Sequence, residues 1–300
     1  MSVTVRVPAK VNVQLGVGAA RPDGFHDLAN VFLAVGLYDE VTVTPAEELR
    51  VTCEGPDAGQ VPLDRTNLAA RAALALAERH GLDAAVHLHI TKDIPVAGGM
   101  AGGSADGAGA LLACDALWGT GASRAELLDI CAELGSDVPF SLVGGAALGT
   151  GRGEKLRALD VGGGFSWVFA MAERGLSTPA VFREFDRLTE GLDVPEPVAS
   201  EELLDALAKG DADALAAAVS NDLQPAALSL FPELADTLAA GRAGGALAGI
   251  VSGSGPTTAF LARDAESASK VADALRVSGT CRTVRTASGP APGATVLTAV

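Results

Sequence analysis

Residues Pro95–Asp106 read Pro-Val-Ala-Gly-Gly-Met-Ala-Gly-Gly-Ser-Ala-Asp, and this glycine-rich stretch decides the fold. It follows a run with strand character, Val86–Thr91, and it leads into a helical segment, Gly107–Leu117. Glycine lets backbone N–H groups turn towards a ligand, and the first turn of a helix adds unpaired donors and partial positive charge. A strand, a glycine loop and a helix N-terminus in this order predict a site for a phosphorylated ligand.

The loop does not fit three common motifs. A Walker A loop has Lys and then Ser or Thr after its last glycine, whereas Gly103 is followed directly by Ser104. Neither this loop nor Gly149–Gly153 has the G-x-G-x-x-G spacing of a dinucleotide site. Asp106 stands where a hydrolase elbow, G-x-S-x-G, needs glycine. The remaining alternative to a phosphate site is a flexible turn between a strand and a helix.

Length and charge limit the architecture and the partners. The 300 residues are 48% hydrophobic, which is enough for a large core, and we expect two domains. A hinge near Gly153–Leu159 places the boundary between residues 1–155 and 156–300. The net charge of −15 argues against nucleic acid or an anionic membrane as the partner. The few positive groups that meet a phosphate must therefore be concentrated locally.

The N-terminal residues and the cysteines indicate a cytoplasmic protein. The first residues lack the apolar core of a signal peptide, and the uncharged stretch 243–262 is interrupted too often by Gly, Ser, Thr and Pro for a membrane helix. The four cysteines form no C-x-x-C pair. We expect them to be reduced core thiols.

Hydrophobic periodicity and capping residues predict a mixture of strands and helices. Thr66 is the predicted cap of a helix to about His80, and Ser123 and Glu126 form a capping box that opens a helix to about Leu134. Further helices are expected after Ser200, after Asp211 and near Ala265–Leu275. Strands are predicted at Val3–Val7, Val11–Val17, Val41–Thr44, Leu49–Cys53, Trp167–Met171, Leu247–Val251, Thr257–Leu261 and Arg282–Thr286.

Two charged residues outside the loop have both a catalytic and an ordinary structural interpretation. Lys10 lies in Pro8–Asn12 among alternating apolar residues, where burial is costly unless a carboxylate or phosphate pairs with it. In isolation, a strand-edge lysine that discourages aggregation is the simpler interpretation. Asp137 could pair with Lys10 and accept a substrate hydroxyl proton, but with Pro139 in a first helical turn it is, by itself, better explained as a helix cap.

Two other features stay open. Ser252–Thr257 is a second loop of small residues between apolar strands, and it is either a simple hairpin turn or a place where backbone approaches a ligand. His87 and His89 share one side of a strand and could bind a metal, but no third ligand is evident nearby. Packing is the better account of these two histidines.

Several motifs in one order make the chain resemble the GHMP kinase superfamily, whose glycine-rich loop binds ATP phosphates in a non-Walker manner. Within it, the chain is most similar to the kinases of 4-diphosphocytidyl-2-C-methyl-D-erythritol. The Asp-Gly-aromatic-His segment Asp23–His26 distinguishes these kinases from other members. The motifs that carry the resemblance are Pro8–Asn12, Arg21–His26, Ile94–Asp106, Leu134–Phe140, Gly149–Gly153, Asn221–Leu223 and Ser252–Pro256.

The resemblance implies a two-domain α/β (α+β) fold with the active site in a cleft between the domains. The N-terminal domain would be ribosomal-protein-S5-like and bind ATP, and the C-terminal domain would be ferredoxin-like. The residues that the resemblance assigns to ATP are Asn67, Lys92, Pro95, Val96, Ala97, Gly98, Gly99, Met100, Ala101, Gly102, Gly103, Ser104 and Ala105. Mg²⁺ should accompany ATP, with Ser104 as a weak candidate ligand and no other ligand named.

The implied reaction is ATP-dependent phosphorylation of the 2-hydroxyl of the methylerythritol group, in the non-mevalonate pathway to isoprenoid precursors. Lys10 and Asp137 would be the catalytic pair, and His26 would bind cytosine. The remaining residues assigned to the substrate are Asn12, Phe25 and Phe182. Many relatives have Tyr where Phe25 stands, so aromatic packing is kept here and a hydroxyl is lost.

Two alternatives to this reaction remain. The chain could be another GHMP kinase, acting on homoserine, mevalonate or a sugar, although His26 and Phe25 argue for a cytidine group. It could also be a non-catalytic nucleotide-binding module, against which the presence of both Lys10 and Asp137 argues. We expect a small-molecule substrate with a cytidine diphosphate group, no nucleic acid or membrane partner, and a monomer or a homodimer.

Overall fold

A computed structural model describes residues 2–96 and 98–299, and these form two β-sheets with helices packed on them. The strands, β1 to β12 in order, are Val3–Ala20, His26–Pro45, Arg50–Glu54, Val86–Thr91, Ala146–Thr150, Lys155–Ala158, Phe165–Met171, Ser220–Asn221, Ala248–Val251, Thr258–Ala262, Thr283–Gly289 and Thr295–Ala299. The helices, α1 to α10 in order, are Leu68–His80, Gly102–Trp118, Arg124–Leu134, Val138–Val143, Thr178–Thr189, Glu201–Lys209, Ala212–Ala218, Gln224–Leu230, Leu234–Ala243 and Ala265–Ser278.

The first sheet has the strand order β12-β1-β2-β4-β3, and β5 pairs with both β2 and β6. Strand β1 carries apolar residues at odd positions from Val3 to Val17, and these side chains are buried. Because successive side chains of a strand point to opposite faces, Lys10, Asn12 and Gln14 share the other face. The alternation that forms the core thus also collects three polar side chains in one row.

The strands β1 and β2 are longer than the sequence predicts. The prediction of separate strands at Val3–Val7 and Val11–Val17 is wrong, because β1 continues through Pro8 as one strand. The register between β1 and β2 shifts between Pro8 and Ala9, which accommodates a residue without an N–H group. The predicted strand Val41–Thr44 is only the end of β2.

Helix α2 begins inside the glycine-rich stretch, at Gly102, and not near Gly107 as the sequence suggested. It packs on the first sheet through Gly109. A Cβ atom at Gly109 would lie 2.9 Å from Cγ2 of Val7 and 2.9 Å from Cγ2 of Val41. The small residue therefore lets the helix approach β1 and β2 closely, which fixes the height of its N-terminus above the sheet.

The structure confirms the predicted cap at Ser123 and the predicted helix starts after Ser200 and Asp211, and it corrects the predicted cap of α1. The side chains of Ser123, Ser200 and Asp211 accept hydrogen bonds from the first turns of α3, α6 and α7. The cap of α1 is Asn67, whose side chain accepts from the N–H of Ala69, and the prediction of Thr66 is wrong by one residue. Asparagine and threonine are both good caps, so the local sequence did not separate them.

The second sheet is antiparallel, with the order β11-β7-β10-β9. Its strand β7 is buried on both faces. Trp167 and Phe169 belong to the large core beneath the first sheet, and Val168 and Ala170 belong to a core with α5, α9 and α10. The predicted strands at Trp167, Leu247, Thr257 and Arg282 and the predicted helix at Ala265 all start within two residues of the observed elements, although β11 and α10 each end three residues later than predicted.

The boundary between residues 1–155 and 156–300 stays a prediction. It falls at the start of β6, which pairs with β5, and the C-terminal strand β12 pairs with β1. The short strand β8 also pairs with β1, so three strands from beyond the boundary belong to the first sheet. Within residues 2–96 and 98–299, the helices are all too short or too polar to cross a membrane.

Overpacking at Gly109 should destabilise the fold. We expect Gly109→Val to lower the free energy of unfolding by about 1–3 kcal/mol, because the added methyl groups would meet Val7 and Val41. Ala116→Val places the same β-branched residue on the exposed side of α2 and should cost less than about 1 kcal/mol. Urea unfolding followed by circular dichroism measures both. Equal losses in the two variants would contradict the close packing of α2.

Candidate active site

One cleft of about 670 Å³ collects most of the residues that the sequence singles out. Its walls come from the start of α2, from β1 and β2, from α5 and from the loop between β9 and β10. Site residues predicted from the sequence that line it are Lys10, Asn12, Phe25, His26, Gly98, Gly99, Ala101, Gly102, Gly103, Ser104, Asp137 and Phe182.

Lys10 lies at the base of the cleft and is not a strand-edge lysine in water. Its side chain is only 5% exposed. The Nζ atom donates to Oδ1 of Asn12 at 2.6 Å and to the carbonyl oxygen of Gly99 at 2.8 Å, and it lies 3.6 Å from Oδ2 of Asp137. The aggregation-blocking interpretation of Lys10 is therefore wrong, and the predicted pairing with Asp137 is confirmed.

Burial lowers the pKa of Lys10, while the carboxylate of Asp137 opposes that shift. A buried ammonium group with one carboxylate partner is an incompletely neutralised charge. It is therefore suited to attract a further anion, such as a phosphoryl group, into the cleft.

Asp137 precedes α4 but does not cap it. No hydrogen bond joins its side chain to the first turn of that helix. The carboxylate faces Lys10 instead and is 32% exposed, so a substrate hydroxyl can reach it. The interpretation of Asp137 as a side-chain cap is thus wrong, although Pro139 does lie in the first helical turn as expected.

The first half of the glycine loop is held by the second sheet. Gly99 has φ +75°, and a Cβ atom there would lie 2.2 Å from the carbonyl oxygen of Ser252. The carbonyl of Gly99 also accepts a hydrogen bond from Oγ of Ser252 at 3.1 Å, and the carbonyl of Gly98 accepts from the N–H of Thr257 at 3.3 Å. Only glycine can adopt this positive φ and also lie this close to the carbonyl oxygen of Ser252.

The loop Ser252–Thr257 is a hairpin turn that also faces the cleft. It joins the antiparallel strands β9 and β10, whose residues Val251 and Thr258 are paired. It also lines the cleft through Gly253 and Ser254. Nδ2 of Asn221 donates to the carbonyls of Val251 and Gly253 at 2.8 and 2.7 Å, which fixes the loop from below.

The second half of the glycine loop is the first turn of α2. The N–H of Ala105 bonds the carbonyl of Ala101, so the preceding three N–H groups have no partner four residues earlier. Gly103 is exposed, and the nearest atom to a Cβ there is Cδ1 of Leu68 at 3.7 Å. A Cβ at Gly102 would instead meet Nζ of Lys92 at 3.1 Å. The open side of the turn thus faces the cleft with free donors.

Beneath this turn lies a buried cluster of Lys92, Asp39 and Asp106. Nζ of Lys92 donates to Oδ2 of Asp39 and, at 3.0 Å, to Oδ2 of Asp106. Oδ1 of Asp39 also accepts from the N–H groups of Asp93 and Ile94 at 2.7 and 2.9 Å. The cluster therefore anchors the chain where β4 passes into the glycine loop.

Two carboxyl groups share one ammonium group in this buried cluster. Burial raises the pKa of Asp106 to about 8. The positive charge of Lys92 opposes this shift, and the negative charge of Asp39 adds to it. Burial alone would lower the pKa of Lys92, but Asp106 and Asp39 outweigh burial and raise it. Oδ1 of Asp106 has no hydrogen-bond partner among the described residues. When Asp106 holds a proton, the cluster carries one positive and one negative charge and is neutral.

The far end of the cleft is aromatic. The side chain of His26 is 5% exposed, and its Nε2 lies 2.7 Å from Oδ1 of Asp186. The ring centroid of Phe182 is 5.0 Å from that of His26, and the centroid of Phe185 is 5.9 Å away. This geometry can hold a flat ring against Phe182 within reach of an imidazole nitrogen.

The mouth of the cleft carries Phe25 and Arg152. Phe25 is 48% exposed, and Cζ of Arg152 lies 5.0 Å from the centroid of its ring. Arg152 belongs to the glycine-rich turn between β5 and β6, and no carboxylate among the described residues pairs with its guanidinium group. A cation over an aromatic ring at the mouth fits an anionic ligand with a flat group.

Comparison with known proteins decides the family. The chain matches the family model "GHMP kinases N terminal domain" over residues 67–145 and "GHMP kinases C terminal" over residues 203–279. A Streptomyces avermitilis protein named 4-diphosphocytidyl-2-C-methyl-D-erythritol kinase is 84% identical over 297 residues, which are 99% of this chain and 100% of that protein. The chain belongs to the 4-diphosphocytidyl-2-C-methyl-D-erythritol kinase family. A Thermobifida fusca protein of the same name is 60% identical and covers 99% of this chain and 98% of its own length.

Solved structures agree with this assignment. The crystal structure titled 4-(cytidine 5'-diphospho)-2C-methyl-D-erythritol kinase is 33% identical, with a TM-score of 0.77 over 95% of this chain and 98% of that chain. Homoserine kinase from Cytophaga hutchinsonii is 20% identical, with a TM-score of 0.74 over 99% and 97% of the two chains, and so shares the fold. The expected two-part GHMP kinase fold is therefore confirmed, and the chain is a small-molecule kinase that uses ATP.

Seven residues assigned to ATP lie away from the cleft or outside the described residues. Pro95 and Val96 line a smaller cavity of about 80 Å³ instead, and Met100 and Ala105 are fully buried. Asn67 uses its side chain to cap α1 and to donate to the carbonyl of Pro62. Lys92 is held in the cluster with Asp39 and Asp106, as described above. Ala97 lies outside the described residues.

The structure adds cleft residues that the sequence did not indicate. Asn30, Arg152, Arg183 and Asp186 all line it. Asn30 accepts a hydrogen bond from Nδ2 of Asn12 at 2.7 Å. A polar residue within the apolar run of β2 was the available signal for Asn30, whereas exposed charges such as Arg152 and Asp186 give none.

His87 and His89 of β4 both contact a neighbouring strand, as the packing interpretation predicts. Nε2 of His87 and Nδ1 of His89 lie 2.7 and 2.9 Å from Oγ1 of Thr52. Among the described residues no group of three or more His, Cys, Asp or Glu side chains is arranged to hold a metal ion.

Removing the charge of Asp106 should flatten the pH dependence of stability. Its pKa is about 8 in the folded chain and about 3.9 in an unfolded one, so the folded state binds the extra proton between these values. The free energy of unfolding should therefore fall as pH rises from 5 to 8, by at most about 1.4 kcal/mol per pH unit for this proton. Asp106→Asn should reduce that slope.

Urea unfolding at several pH values measures the slope. Asp129→Asn makes the same chemical change at an exposed position of α3 and serves as the control, which should follow the parent. A slope in Asp106→Asn equal to that of the parent would show that Asp106 does not hold the proton.

Proposed function

We propose that this kinase transfers the γ-phosphoryl group of ATP to the 2-hydroxyl of 4-diphosphocytidyl-2-C-methyl-D-erythritol, a step towards isoprenoid precursors. One observation carries the proposal. A single cleft joins the open N-terminus of α2 to the pocket of His26 and Phe182, and the Lys10–Asp137 pair lines the same cleft. The names of the relatives at 84% and 60% identity support the same substrate.

The geometry of β1 and β2 suits an extended substrate. Lys10, Asn12 and Asn30 form a connected polar row beside the glycine loop, and His26 lies four residues from Asn30 along β2. Four residues of extended strand span roughly 13 Å, at about 3.3 Å per residue. A molecule with a base at one end and a hydroxyl at the other can therefore reach both sites.

The ATP phosphates belong at the first turn of α2. Gly102, Gly103 and Ser104 present N–H groups without helical partners to the cleft, and the positive end of the helix lies there. The neutral cluster of Lys92, Asp39 and Asp106 below the turn adds no net charge against the phosphates. Lys10, which contacts the loop at Gly99, adds the nearest positive charge.

Asp137 and Lys10 perform the transfer together. Asp137 accepts the proton of the 2-hydroxyl as the oxygen forms its bond to the γ-phosphorus, and the bond from that phosphorus to the β-phosphate oxygen breaks to release ADP. Lys10 orients the carboxylate at 3.6 Å and offsets the charge that develops on the transferred group. Asn12 holds Lys10 in place by accepting one of its hydrogen bonds.

Mg²⁺ fits this site as a partner of ATP. The ion usually binds phosphates and waters with one or two protein oxygens, so no larger carboxylate cluster is needed. The hydroxyl of Ser104 and the carboxylate of Asp137 both line the cleft and would supply such oxygens. Bound Mg²⁺ would neutralise phosphate charge during the transfer.

A kinase assay on purified protein tests the proposed substrate. ATP consumption should be fast with 4-diphosphocytidyl-2-C-methyl-D-erythritol, and near background with homoserine, mevalonate and galactose, because only the first offers a base to the His26 pocket. Comparable or faster turnover of another substrate in the panel would contradict the proposal while leaving the kinase family intact.

Asp137→Asn should remove the base and keep the shape of the side chain. The expected kcat is roughly 10²–10⁴-fold lower, while ATP affinity stays close to that of the parent, because the amide cannot take the hydroxyl proton. Steady-state kinetics and calorimetry measure the two quantities. A kcat close to the parent value in folded protein would exclude Asp137 as the base.

Gly103→Val should obstruct the phosphate site without unfolding the chain. Its Cβ has free space on the cleft side, so we expect normal thermal stability and a large loss of ATP affinity. Gly59→Val adds the same side chain at a glycine with no atom within 4 Å of its Cβ and away from the cleft. Unchanged ATP binding by Gly103→Val in calorimetry would refute the phosphate assignment.

A further inference from the structure

Asp186 lines the aromatic end of the cleft, beside His26 and Phe182. It lies on α5, one turn after Phe182, and its carboxylate is 42% exposed. The single polar contact of its side chain among the described residues is Oδ1 to Nε2 of His26, at 2.7 Å. The contact with His26 is the route by which Asp186 can act on the base pocket.

The contact determines which nitrogen of His26 carries the proton. An ionised carboxylate only accepts hydrogen bonds, so Nε2 must carry hydrogen when it faces Asp186. In a neutral imidazole this leaves Nδ1 as a bare acceptor. Among the described residues no hydrogen bond is made to Nδ1, and His26 lines the cleft.

A bare Nδ1 distinguishes between pyrimidines. Cytosine presents an amino group at position 4, which donates, whereas uracil presents an oxygen there, which accepts. An acceptor in the pocket pairs with the amino group and leaves the uracil oxygen facing a second acceptor. Phe182, at 5.0 Å from the imidazole, holds either base equally well, because stacking does not read position 4.

We propose that Asp186 is a positioning residue that holds His26 with its proton on Nε2, so that Nδ1 selects cytosine over uracil. This inference rests on the proposed function, since it assigns the origin of base specificity in the same cleft. Asp186 acts on binding of the base and not on the phosphoryl transfer.

The test compares the cytidine substrate with its uridine analogue, 4-diphosphouridyl-2-C-methyl-D-erythritol. The parent should prefer cytidine in kcat/KM by roughly 10-fold to 100-fold. In Asp186→Ala this ratio should fall to about one-fifth or less, through a higher KM for the cytidine substrate at nearly unchanged kcat. In Asp186→Ala combined with His26→Ala, the ratio should fall no further than in His26→Ala alone, because both residues act through one contact.

Glu184→Ala is the matched control. Glu184 lies on the same helix and contacts Arg187 and Ser229 rather than the cleft. Its variant should keep the cytidine preference of the parent. A preference lost equally in Glu184→Ala and Asp186→Ala would mean that α5 acts only as a scaffold, and would overturn the inference.

The tautomer is measured without substrate. In ¹⁵N-histidine spectra, His26 of the parent should show a protonated Nε2 and a bare Nδ1, and Asp186→Ala should lose this pattern. A protonated Nδ1 in the parent would overturn the inference. Failure of the parent to use the cytidine substrate would contradict the proposed function, whereas an active parent whose preference survives Asp186→Ala would overturn the role of Asp186 alone.

Discussion

The arrangement of the site depends on two hydrogen bonds to the carbonyl oxygen of Gly99. It accepts one hydrogen bond from Lys10, on strand β1 of the first sheet, and another from Ser252, on the hairpin loop of the second sheet. The glycine loop is thus fixed at one atom relative to the ammonium group of Lys10 and to the second sheet. Because a Cβ at Gly99 would overlap the backbone of Ser252, no other residue allows both contacts.

Local sequence patterns predicted the structural features that depend on residues close together in the chain. The alternating valines of β1 gave its buried face, and the caps at Ser123, Ser200 and Asp211 gave the starts of three helices. The same patterns did not give the length of β1 and β2, because a register shift after Pro8 is set by pairing between strands. They also did not separate Thr66 from Asn67, since both satisfy the same capping rule.

The sequence predicted those parts of the candidate site that consist of one continuous motif. It did not predict contacts between side chains that lie far apart in the sequence. The glycine loop is of the first kind, whereas the pairing of Lys10 with Asp137 came from the family resemblance, because each residue alone favoured a structural interpretation. Lys92 is of the second kind, because its carboxylate partners lie 53 and 14 residues away, and their presence turns an expected nucleotide contact into a buried anchor. Asp186 lies 160 residues from His26, and nothing in its own neighbourhood indicates that contact.

The pairing of β12 with β1 has a consequence for how the chain reaches its fold. Val3 pairs with Ala299, so residues from opposite ends of the described chain are neighbours in one sheet. Contacts of such sequence separation slow folding, because a long loop must close before they form. During synthesis, the outer edge of β1 over Val3–Arg6 must wait for residues 295–299 to leave the ribosome. Until then it is an open strand edge that another nascent chain can pair with.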